Sequence, residues 1–386
     1  MDALIIDAVR SPIGKRHGML SKVRADELAA QVLNGLVERV GVDTGEIEDV
    51  QMGCVTQIGE QAMNVGRGAL LVAGWPETVC ATTVDRQCGS SMQAAMNAAS
   101  AIQAGHLDLV VAAGIESMSR VPMGSNLGEL GWEAVNPKIG ERWPIVPQGI
   151  SAEVIAEEWG LSREALDEYS YESHMRAVRA IDEGRFEREL VPVEVSNPHA
   201  GVLFGVDETP RRDTTIEKMA TLAPAFKEDG VVTAGNSSSI VDGAAAMLVA
   251  SEERASELGL EPSARFVSFG LAGVDPYRML HGNPQACERA LAKAGLSWDD
   301  MAVIEANEAF ASVVLQFVHD TGLGDRMDDV NPNGGGISLG HPLGATGARI
   351  TATLLGELDR REARYGIATM CIGQGQAIAA VIERLS

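Results

Sequence analysis

Three side chains that can do nucleophilic or acid–base chemistry stand in turns rich in glycine, and Cys88 is the first of them. It precedes Gly89, Ser90 and Ser91, after which a run of Ala and Met predicts a helix. At the N-terminal end of a helix, free N–H groups and the helix dipole favour an anion, so we expect a lowered thiol pKa. Cys88 is therefore a candidate nucleophile. A buried structural cysteine is the alternative.

The second side chain, His341, lies in the turn Gly-His-Pro-Leu-Gly-Ala-Thr-Gly at residues 340–347. Of the seven histidines, this is the one that falls in a turn so tightly constrained by glycine. Histidine is the usual base for activating a thiol, so His341 is a candidate partner of Cys88.

Two further residues follow predicted strands. Cys371 begins a glycine-rich turn in which backbone N–H groups can face a ligand, although a second cysteine at a turn can also be inert. Asn307 ends another strand and could position a water or a carbonyl, or could instead cap a helix. Both residues join Cys88 and His341 as candidates for one site.

The elements that must position these residues follow a repeated order. Strands are predicted at residues 3–6, 49–55, 81–84, 107–114 and 244–251, and again at 264–268, 303–305, 366–370 and 377–383. Helices are predicted at 25–40, 64–73, after Cys88, and at 164–183, 286–294, 311–319 and 346–358. Such a duplication predicts two packed sheets that share central helices, with a site where the halves meet. The Cys88 turn and the turn at 335–347 are the corresponding elements.

Composition limits the class of protein. The chain has 386 residues, 42 of them Gly, with 45% hydrophobic and 4% aromatic residues, which suits a layered α/β protein. Its net charge of −23 argues against nucleic acid or an anionic membrane as the main partner. Its five widely spaced cysteines include no CxxC pair, so we expect a reducing cytoplasm rather than a disulfide framework or a zinc site. We expect neither a signal peptide nor a membrane span, because no apolar run reaches about 18 residues.

The sequence resembles the thiolase superfamily, in particular the acetyl-CoA C-acyltransferase and 3-ketoacyl-CoA thiolase family. The resemblance extends over essentially the whole chain, and its motifs are specific in combination. They are Arg-Ser-Pro-Ile-Gly at 10–14, Cys-Gly-Ser at 88–90, Gly-Ile-Glu-Ser-Met-Ser at 114–119, Thr-Ala-Gly-Asn-Ser-Ser at 233–238, Asp-Gly-Ala-Ala at 242–245, Asn-Glu-Ala-Phe-Ala at 307–311, Gly-His-Pro-Leu-Gly at 340–344 and Cys-Ile-Gly at 371–373.

The resemblance implies a role for each candidate. Cys88 would carry the acyl group as a thioester, His341 would take its proton, and Cys371 would be the acid/base for the substrate α-proton or the CoA thiol. The N–H groups of Cys88 and Gly373 would form one oxyanion hole, and His341 with a water held by Asn307 would form the other. Two sets of donors agree with a Claisen reaction, in which negative charge develops on two thioester oxygens.

The resemblance also implies the partners. Coenzyme A would be a co-substrate lying against an inserted loop domain, with Arg211 and Ser238 at CoA-contacting positions. Arg211, Arg212 and Lys218 form a positive cluster that would attract this anion to an acidic protein, although a solvated charged face is the alternative. No tightly bound cofactor and no metal are expected, and the protein is expected to be a homodimer or homotetramer.

The fold that the resemblance implies is α/β, a thiolase-like duplicated α-β-α-β-α layered fold with a loop domain inserted in the first half. We expect an N-terminal domain at residues 1–263, which includes the insertion at about 118–230, and a C-terminal domain at 264–386. The insertion is rich in proline and charge and holds the predicted helix at 164–183.

The function implied is CoA-dependent thiolytic cleavage of 3-ketoacyl-CoA, as in β-oxidation, or the reverse Claisen condensation. The alternatives are a biosynthetic acetyl-CoA C-acetyltransferase that makes acetoacetyl-CoA, a ketoacyl-synthase-like enzyme, and a catalytically silent acyl-CoA-binding protein. The sequence departs from common thiolase patterns at 147–153, at 279–284 and at Gln374, and the first two departures are expected at the acyl pocket. The pattern at 273–284 is similar to thiolases of steroid side-chain breakdown, and short-chain enzymes remain the alternative.

Overall fold

The computed structural model describes residues 2–195 and 201–385. Its strands are β1 (Ala3–Arg10), β2 (Gly14–Lys15), β3 (Asp49–Gly53), β4 (Cys80–Val84), β5 (Leu109–Ser117), β6 (Val193–Val195), β7 (Val202–Phe204), β8 (Val241–Ser251), β9 (Ala264–Gly273), β10 (Met301–Ala306), β11 (Tyr365–Ile372) and β12 (Gln376–Arg384). Its α-helices are α1 (Ala25–Val40), α2 (Val65–Val72), α3 (Ser90–Gln103), α4 (Pro137–Gly140), α5 (Gln148–Glu158), α6 (Arg163–Asp182), α7 (Ile216–Ala220), α8 (Glu252–Leu258), α9 (Asn283–Ala294), α10 (Ala311–Thr321) and α11 (Thr346–Arg360).

The large sheet repeats one topology twice. In the first half the strand order is β4-β3-β5-β8-β1, and in the second half it is β10-β11-β12-β9. Pairing is parallel between β3 and β5 and between β10 and β11, whereas the pairs β5–β8, β8–β1, β11–β12 and β12–β9 are antiparallel. The counterpart of β4 is reduced to a parallel bridge between Ile304 and Val330. The predicted duplication is therefore visible strand by strand.

The halves stack in five layers. The outer layer of the first half holds α1 and α2, whose apolar side chains pack on one face of its strands. A second core, in the middle, joins side chains of β1, β5 and β8 to those of β11 and β12 through α3 and α11. A third core packs α9 and α10 on the outer face of the second half. This arrangement agrees with the expected α-β-α-β-α layering, and α3 and α11 are the shared central helices.

The two packed sheets that the duplication predicts are joined to each other at one edge. Strands β1 and β9 pair at Leu4–Arg265 and Ile5–Ala264, so the hydrogen bonds run through both halves as one continuous sheet. Among the described residues, the pairing of β1 with β9 is limited to these two residue pairs, and the middle core lies between the faces on either side of the joint. A short joint at an edge cannot be read from periodicity, because it depends on how the halves dock.

The segment between β5 and β8 contains α4 to α7 and the small β6–β7 hairpin, whose strands pair with each other. Residues 196–200 of this segment lie outside the described residues. Helix α6 matches the helix predicted at 164–183 with a shift of one residue at each end, because Ser162 caps its N-terminus through the Ala165 N–H.

None of the helices in the described part of the chain is both long and apolar enough to cross a membrane.

Candidate active site

Cys88 lies at the N-terminal end of α3, as predicted. Strand β4 ends at Val84, and the turn is closed by bonds from the Gly89 N–H to the Arg86 carbonyl and from the Ser90 N–H to the Gln87 carbonyl, both 3.0 Å. Gln87 adopts a φ of 44°, a left-handed conformation that costs a non-glycine residue free energy and is found often at active sites. The turn thus holds the thiol beside the first turn of the helix.

The prediction that the helix end lowers the Cys88 pKa is wrong. The side chain is buried, and burial raises the pKa of the thiol to about 11, although the backbone N–H groups of Gly373 and Cys88 and the Gln148 side chain act in the opposite direction. The free-energy cost of removing a thiolate from water is larger than the stabilisation that the neighbouring donors provide. Cys88 is therefore protonated at neutral pH and needs a base.

The hydrogen bonds of His341 leave one ring nitrogen able to accept a proton. The Thr346 hydroxyl donates to the Pro342 carbonyl (2.9 Å), so its oxygen is left to accept from the Nδ1–H of His341 (2.6 Å). This bond leaves the lone pair on Nε2, which has no hydrogen-bond partner among the described residues. Burial, with a smaller contribution from the charge of Arg349, lowers the imidazole pKa to about 3. His341 is thus neutral with Nε2 able to accept a proton.

The His341 turn reaches Cys88 by close packing between the halves. Leu343 of the turn packs with Cys88 and Met118 in one apolar cluster. A Cβ at Gly344 would lie 2.7 Å from the Cys54 Cα, and one at Gly347 would collide with the backbone of Met92 in α3. Glycine is required here because backbone approaches backbone.

A buried carboxylate fixes this contact. Glu116, at the end of β5, accepts the N–H groups of Val55 and Thr56 (3.0 Å each), the Gln61 amide (2.8 Å) and the Gly344 N–H (2.9 Å). The first three donors belong to the first half and the fourth to the His341 turn. The carboxylate therefore holds the His341 turn against the first half.

Cys371 and Gly373 lie at the end of β11. Burial, and then the neighbouring Cys88, raise the pKa of the Cys371 thiol, so the two sulfurs are close enough to interact electrostatically. The backbone N–H of Gly373 acts to lower the Cys88 pKa. Cys371 also packs in an apolar cluster with Met279, Leu280, Phe310 and the α5 residues Ala152 and Ile155. An apolar pocket thus adjoins the two thiols.

Asn307 follows β10 and is buried, and neither atom of its amide has a hydrogen-bond partner within the described residues. The alternative that it caps a helix is wrong, because α10 begins at Ala311 with Phe310 at the N-cap position. Its neighbour Glu308 accepts bonds from Tyr169 and Ser173 (2.7 Å each) and the Ile337 N–H (3.0 Å). This anchoring leaves the Asn307 amide free to bind a water or a substrate oxygen.

The predicted CoA contacts separate into two places. Ser238 adjoins the site, since its N–H donates to the Ala309 carbonyl (2.9 Å). Arg211 is exposed on the insertion, where its N–H donates to Nδ1 of His174 (3.2 Å). Arg212 pairs with Asp182 and Lys218 with Asp213, which reduces the predicted positive cluster.

Sequence reasoning assigns no role to Glu116, Thr346 or Gln148. Glu116 is a charge within the long apolar strand β5, and this is the signal available for it. Thr346 enters the sequence pattern only as part of the glycine turn, and Gln148 only as a departure from a common pattern. In the described part of the chain, no group of three or more His, Cys, Asp and Glu residues is placed to hold a metal ion.

Comparison with known proteins agrees with this geometry. The family model for the thiolase N-terminal domain matches residues 3–253, and the model for the thiolase C-terminal domain matches residues 260–384. A 3-ketoacyl-CoA thiolase of Photobacterium profundum is 44% identical over 390 residues, with all of both chains covered. A 3-oxoadipyl-CoA/3-oxo-5,6-dehydrosuberyl-CoA thiolase of Escherichia coli is 45% identical over 400 residues, again with full coverage.

A solved structure shows the same fold. The crystal structure of the Bacillus anthracis acetyl-CoA acetyltransferase superposes with a TM-score of 0.92 at 42% identity, covering 100% of this chain and 99% of that one. Together with the two domain matches, this similarity covers both halves of the duplicated fold. The chain belongs to the thiolase family of acyltransferases.

Proposed function

We propose that Cys88 is the acyl carrier in the thiolytic cleavage of a 3-ketoacyl-CoA by CoA. The observation that supports this most is the convergence on one buried thiol of three groups. They are the Gly373 N–H, the second thiol Cys371 and the turn that carries the free Nε2 of His341.

In the first step His341 takes the Cys88 proton and the sulfur attacks the 3-keto carbon. The bond between C2 and C3 then breaks, Cys371 gives a proton to C2, and acetyl-CoA leaves while the shortened acyl group stays on Cys88 as a thioester. In the second step Cys371 takes the proton of an incoming CoA thiol, whose sulfur attacks the thioester. The Cys88 sulfur leaves and takes back the proton that His341 has held since the first step. A separate base is needed because the thiol that holds the acyl chain cannot also move the α-proton.

Each step develops charge on an oxygen. The N–H groups of Cys88 and Gly373 would bind the oxygen of the acyl group on Cys88, and His341 with a water on Asn307 would bind the thioester oxygen of the enolate. The unpartnered amide of Asn307 supports this assignment, because a buried polar group without a partner is costly unless a water or ligand satisfies it.

The substrate class is part of the proposal. The named relatives include a 3-ketoacyl-CoA thiolase and a 3-oxoadipyl-CoA thiolase, so we infer a degradative role on lipid-type acyl chains, as in β-oxidation. The similarity to an acetyl-CoA acetyltransferase favours biosynthesis of acetoacetyl-CoA as a second candidate. CoA would act as co-substrate, without a tightly bound cofactor, and would contact Ser238 and Arg211.

Three broader features complete the proposal. The matches at 3–253 and 260–384 support a division into domains at 1–263 and 264–386. The helices α4 to α7 and the β6–β7 hairpin, which lie between β5 and β8, support an insertion at about 118–230. A homodimer or homotetramer is supported by the edge position of β4 and by the exposed apolar side chains of Met63, Leu71 and Val72 near it. The free thiols support a cytoplasmic location.

The test is thiolysis measured over 3-ketoacyl-CoA substrates of increasing chain length, 3-oxoadipyl-CoA and steroid-type acyl-CoA, with condensation of acetyl-CoA assayed in parallel. We expect cleavage to be faster than condensation, together with an acyl group on the Cys88 peptide in mass spectrometry. Condensation that is faster than every cleavage reaction would favour the biosynthetic alternative. An acyl group found on another residue would refute the nucleophile assignment.

A further inference from the structure

Helix α6 of the insertion packs against the segment that carries Asn307. Tyr169 and Ser173 lie four residues apart on one face of this helix, and both are buried. Their hydroxyls donate to the two carboxylate oxygens of Glu308, Tyr169 to Oε1 and Ser173 to Oε2, at 2.7 Å each. The insertion thus binds the residue that follows Asn307 in the chain.

A second set of contacts holds the residue before Asn307. The Asn331 side chain bonds to both backbone groups of Ala306, because its Oδ1 accepts the Ala306 N–H (2.9 Å) and its Nδ2 donates to the Ala306 carbonyl (2.8 Å). Nδ2 of Asn331 also donates to the Tyr169 hydroxyl (3.1 Å). The Tyr169 hydroxyl is therefore bonded to both groups that hold the chain neighbours of Asn307.

The Tyr169 hydroxyl keeps the proton that it donates. Burial, and then the charge of Glu308, raise the pKa of Tyr169 well above its ordinary value. A hydrogen bond to a carboxylate is stronger than one between neutral groups. The contact between α6 and Glu308 is therefore a firm support for the residues beside it.

Two glycines bring the backbone of the 331–345 segment against these groups. A Cβ on Gly335 would lie 2.6 Å from Cδ of Glu308. A Cβ on Gly336 would lie 3.1 Å from Oδ1 of Asn307. The Glu308 carboxylate and the Asn307 amide thus pack against consecutive residues of one segment, and no side chain there could be added without moving them.

We propose that Tyr169 and Ser173 are positioning residues through which the insertion holds the Asn307 amide where the enolate oxygen forms. The inference rests on the proposed role of Asn307 in binding the water of that oxyanion site. A shift of this amide would move the donor away from the developing charge and slow the step that needs it.

The two proposed oxyanion sites serve different reactions. Cleavage of a 3-ketoacyl-CoA releases an enolate and uses both sites. Exchange of the acyl group between a simple acyl-CoA and free CoA forms no enolate, so it uses only the N–H groups of Cys88 and Gly373. Loss of the contacts from α6 should therefore slow cleavage and spare exchange.

The experiment measures both rates. Cleavage is followed with a 3-ketoacyl-CoA, and exchange is followed with its shortened acyl-CoA product and isotopically labelled CoA, so that both reactions pass through the same acyl group on Cys88. The variants are Tyr169→Phe, Ser173→Ala, Asn307→Ala and Tyr169→Phe combined with Asn307→Ala. The control, Tyr171→Phe, makes the same chemical change on α6 at a half-buried side chain that is not bonded to Glu308.

We expect Tyr169→Phe to lower kcat for cleavage about tenfold, and Ser173→Ala to lower it less, because the Tyr169 hydroxyl bonds to both supports of Asn307. Exchange should stay within about twofold of wild type. In the Asn307→Ala background, Tyr169→Phe should change cleavage by less than about twofold, because its effect passes through Asn307. Tyr171→Phe should match wild type in both reactions.

Three outcomes would overturn the inference. Cleavage that is unchanged in Tyr169→Phe, or that falls together with exchange by the same factor, would show that α6 does not position this oxyanion site. An equal loss from Tyr169→Phe with and without Asn307→Ala would show that the hydroxyl does not act through Asn307. If instead Asn307→Ala cleaves as fast as wild type, the proposed function of Asn307 fails, and the inference fails with it.

Discussion

The two halves of the molecule share a strand order but differ in the segment that leads into their central helix. In the first half, residues 85–89 connect β4 directly to α3 and place Cys88 at its end. In the second half, residues 331–345 separate the bridge at Val330 from α11 and carry His341 across to the first half. The duplicated frame thus supplies two equivalent helix ends, and the unequal connections place the proposed nucleophile at one and bring the proposed base across to it from the other.

Burial acts on both groups but with opposite sign. It raises the pKa of Cys88 to about 11 and lowers that of His341 to about 3, because in each case the charged form is penalised. The resting pair is therefore a neutral thiol and a neutral imidazole.

The largest effect should come from the nucleophile of the first half. Cys88→Ala removes the acyl carrier, so we expect kcat to fall by at least about 10⁵-fold. Incubation with radiolabelled acyl-CoA followed by denaturation measures covalent labelling, which should disappear. Turnover that persists in this variant would refute the assignment of the nucleophile to Cys88 in the first half.

The base of the second half should matter slightly less. His341→Asn removes both the proton acceptor and an oxyanion donor, so we expect acylation of Cys88 to slow by about 10⁴-fold. A quenched-flow measurement of acyl-enzyme formation gives this rate. Because the thiol remains, alkylation of Cys88 at pH 10 should survive, and its loss would mean that the substitution disturbed the first half.

Cys371, also in the second half, acts in both steps of the proposed reaction, as the acid at C2 and as the base for the CoA thiol. Cys371→Ala should still take up an acyl group from a simple acyl-CoA but fail to complete transfer, so we expect turnover of 3-ketoacyl-CoA to fall about 10³-fold while the acyl-enzyme formed from the acyl-CoA persists. Mass spectrometry of the intact protein after incubation with the acyl-CoA detects this species. Full activity in the variant would reject the role of Cys371 as acid and base.

The contact between the halves can be weakened without touching a reacting group. Glu116→Gln retains the size of the side chain but replaces one carboxylate oxygen with an NH₂ group. Each oxygen of Glu116 accepts from two of the four N–H donors, so two of these donors would then face another donor. We expect the free energy of unfolding to fall by about 2 kcal/mol and kcat to fall about tenfold. Urea denaturation and steady-state kinetics measure these changes. Glu253→Gln, on the exposed face of α8, should change neither by a measurable amount.

The smallest expected effect concerns the change in the free energy of unfolding with pH. The His341 pKa is about 6.5 in the unfolded chain and about 3 when folded, so below pH 6.5 the unfolded state binds a proton that the folded state does not. The free energy of unfolding therefore decreases as pH falls, by about 2 kcal/mol between pH 7 and pH 5 from this residue.

Urea denaturation at pH 7 and pH 5 measures this change. Between these two pH values the free energy of unfolding of His341→Asn should fall by about 2 kcal/mol less than that of wild type. His174, whose pKa burial lowers to about 4, contributes equally to both proteins. Identical losses would show that His341 is not kept neutral by burial.

Local pattern is enough to predict most elements and the candidate residues. Helix α1 has the bounds that the sequence predicts, because its apolar residues recur at helical spacing and Gly41 ends it in the left-handed conformation. The same reasoning finds the Cys88 turn and the His341 turn, since glycine and small residues mark where a strand passes into a helix.

What sequence could not predict depends on distant contacts. The Cys88 pKa is set by burial beneath the second half, which is absent from the short stretch around the thiol. Glu116 binds donors up to 228 positions away, and Thr346 orients His341 only because its own hydroxyl is committed to Pro342. The β1–β9 joint likewise follows from docking of the halves rather than from either strand.

The apolar wall beside Cys371 has a practical consequence for protein engineering. Ala152 and Ile155 in that wall belong to the insertion, whereas the contact between the Cys88 and His341 turns is held by Glu116 and the glycine turns of the duplicated frame. Variants restricted to these two positions should therefore change the shape of the apolar wall while the Cys88 and His341 turns keep their contact.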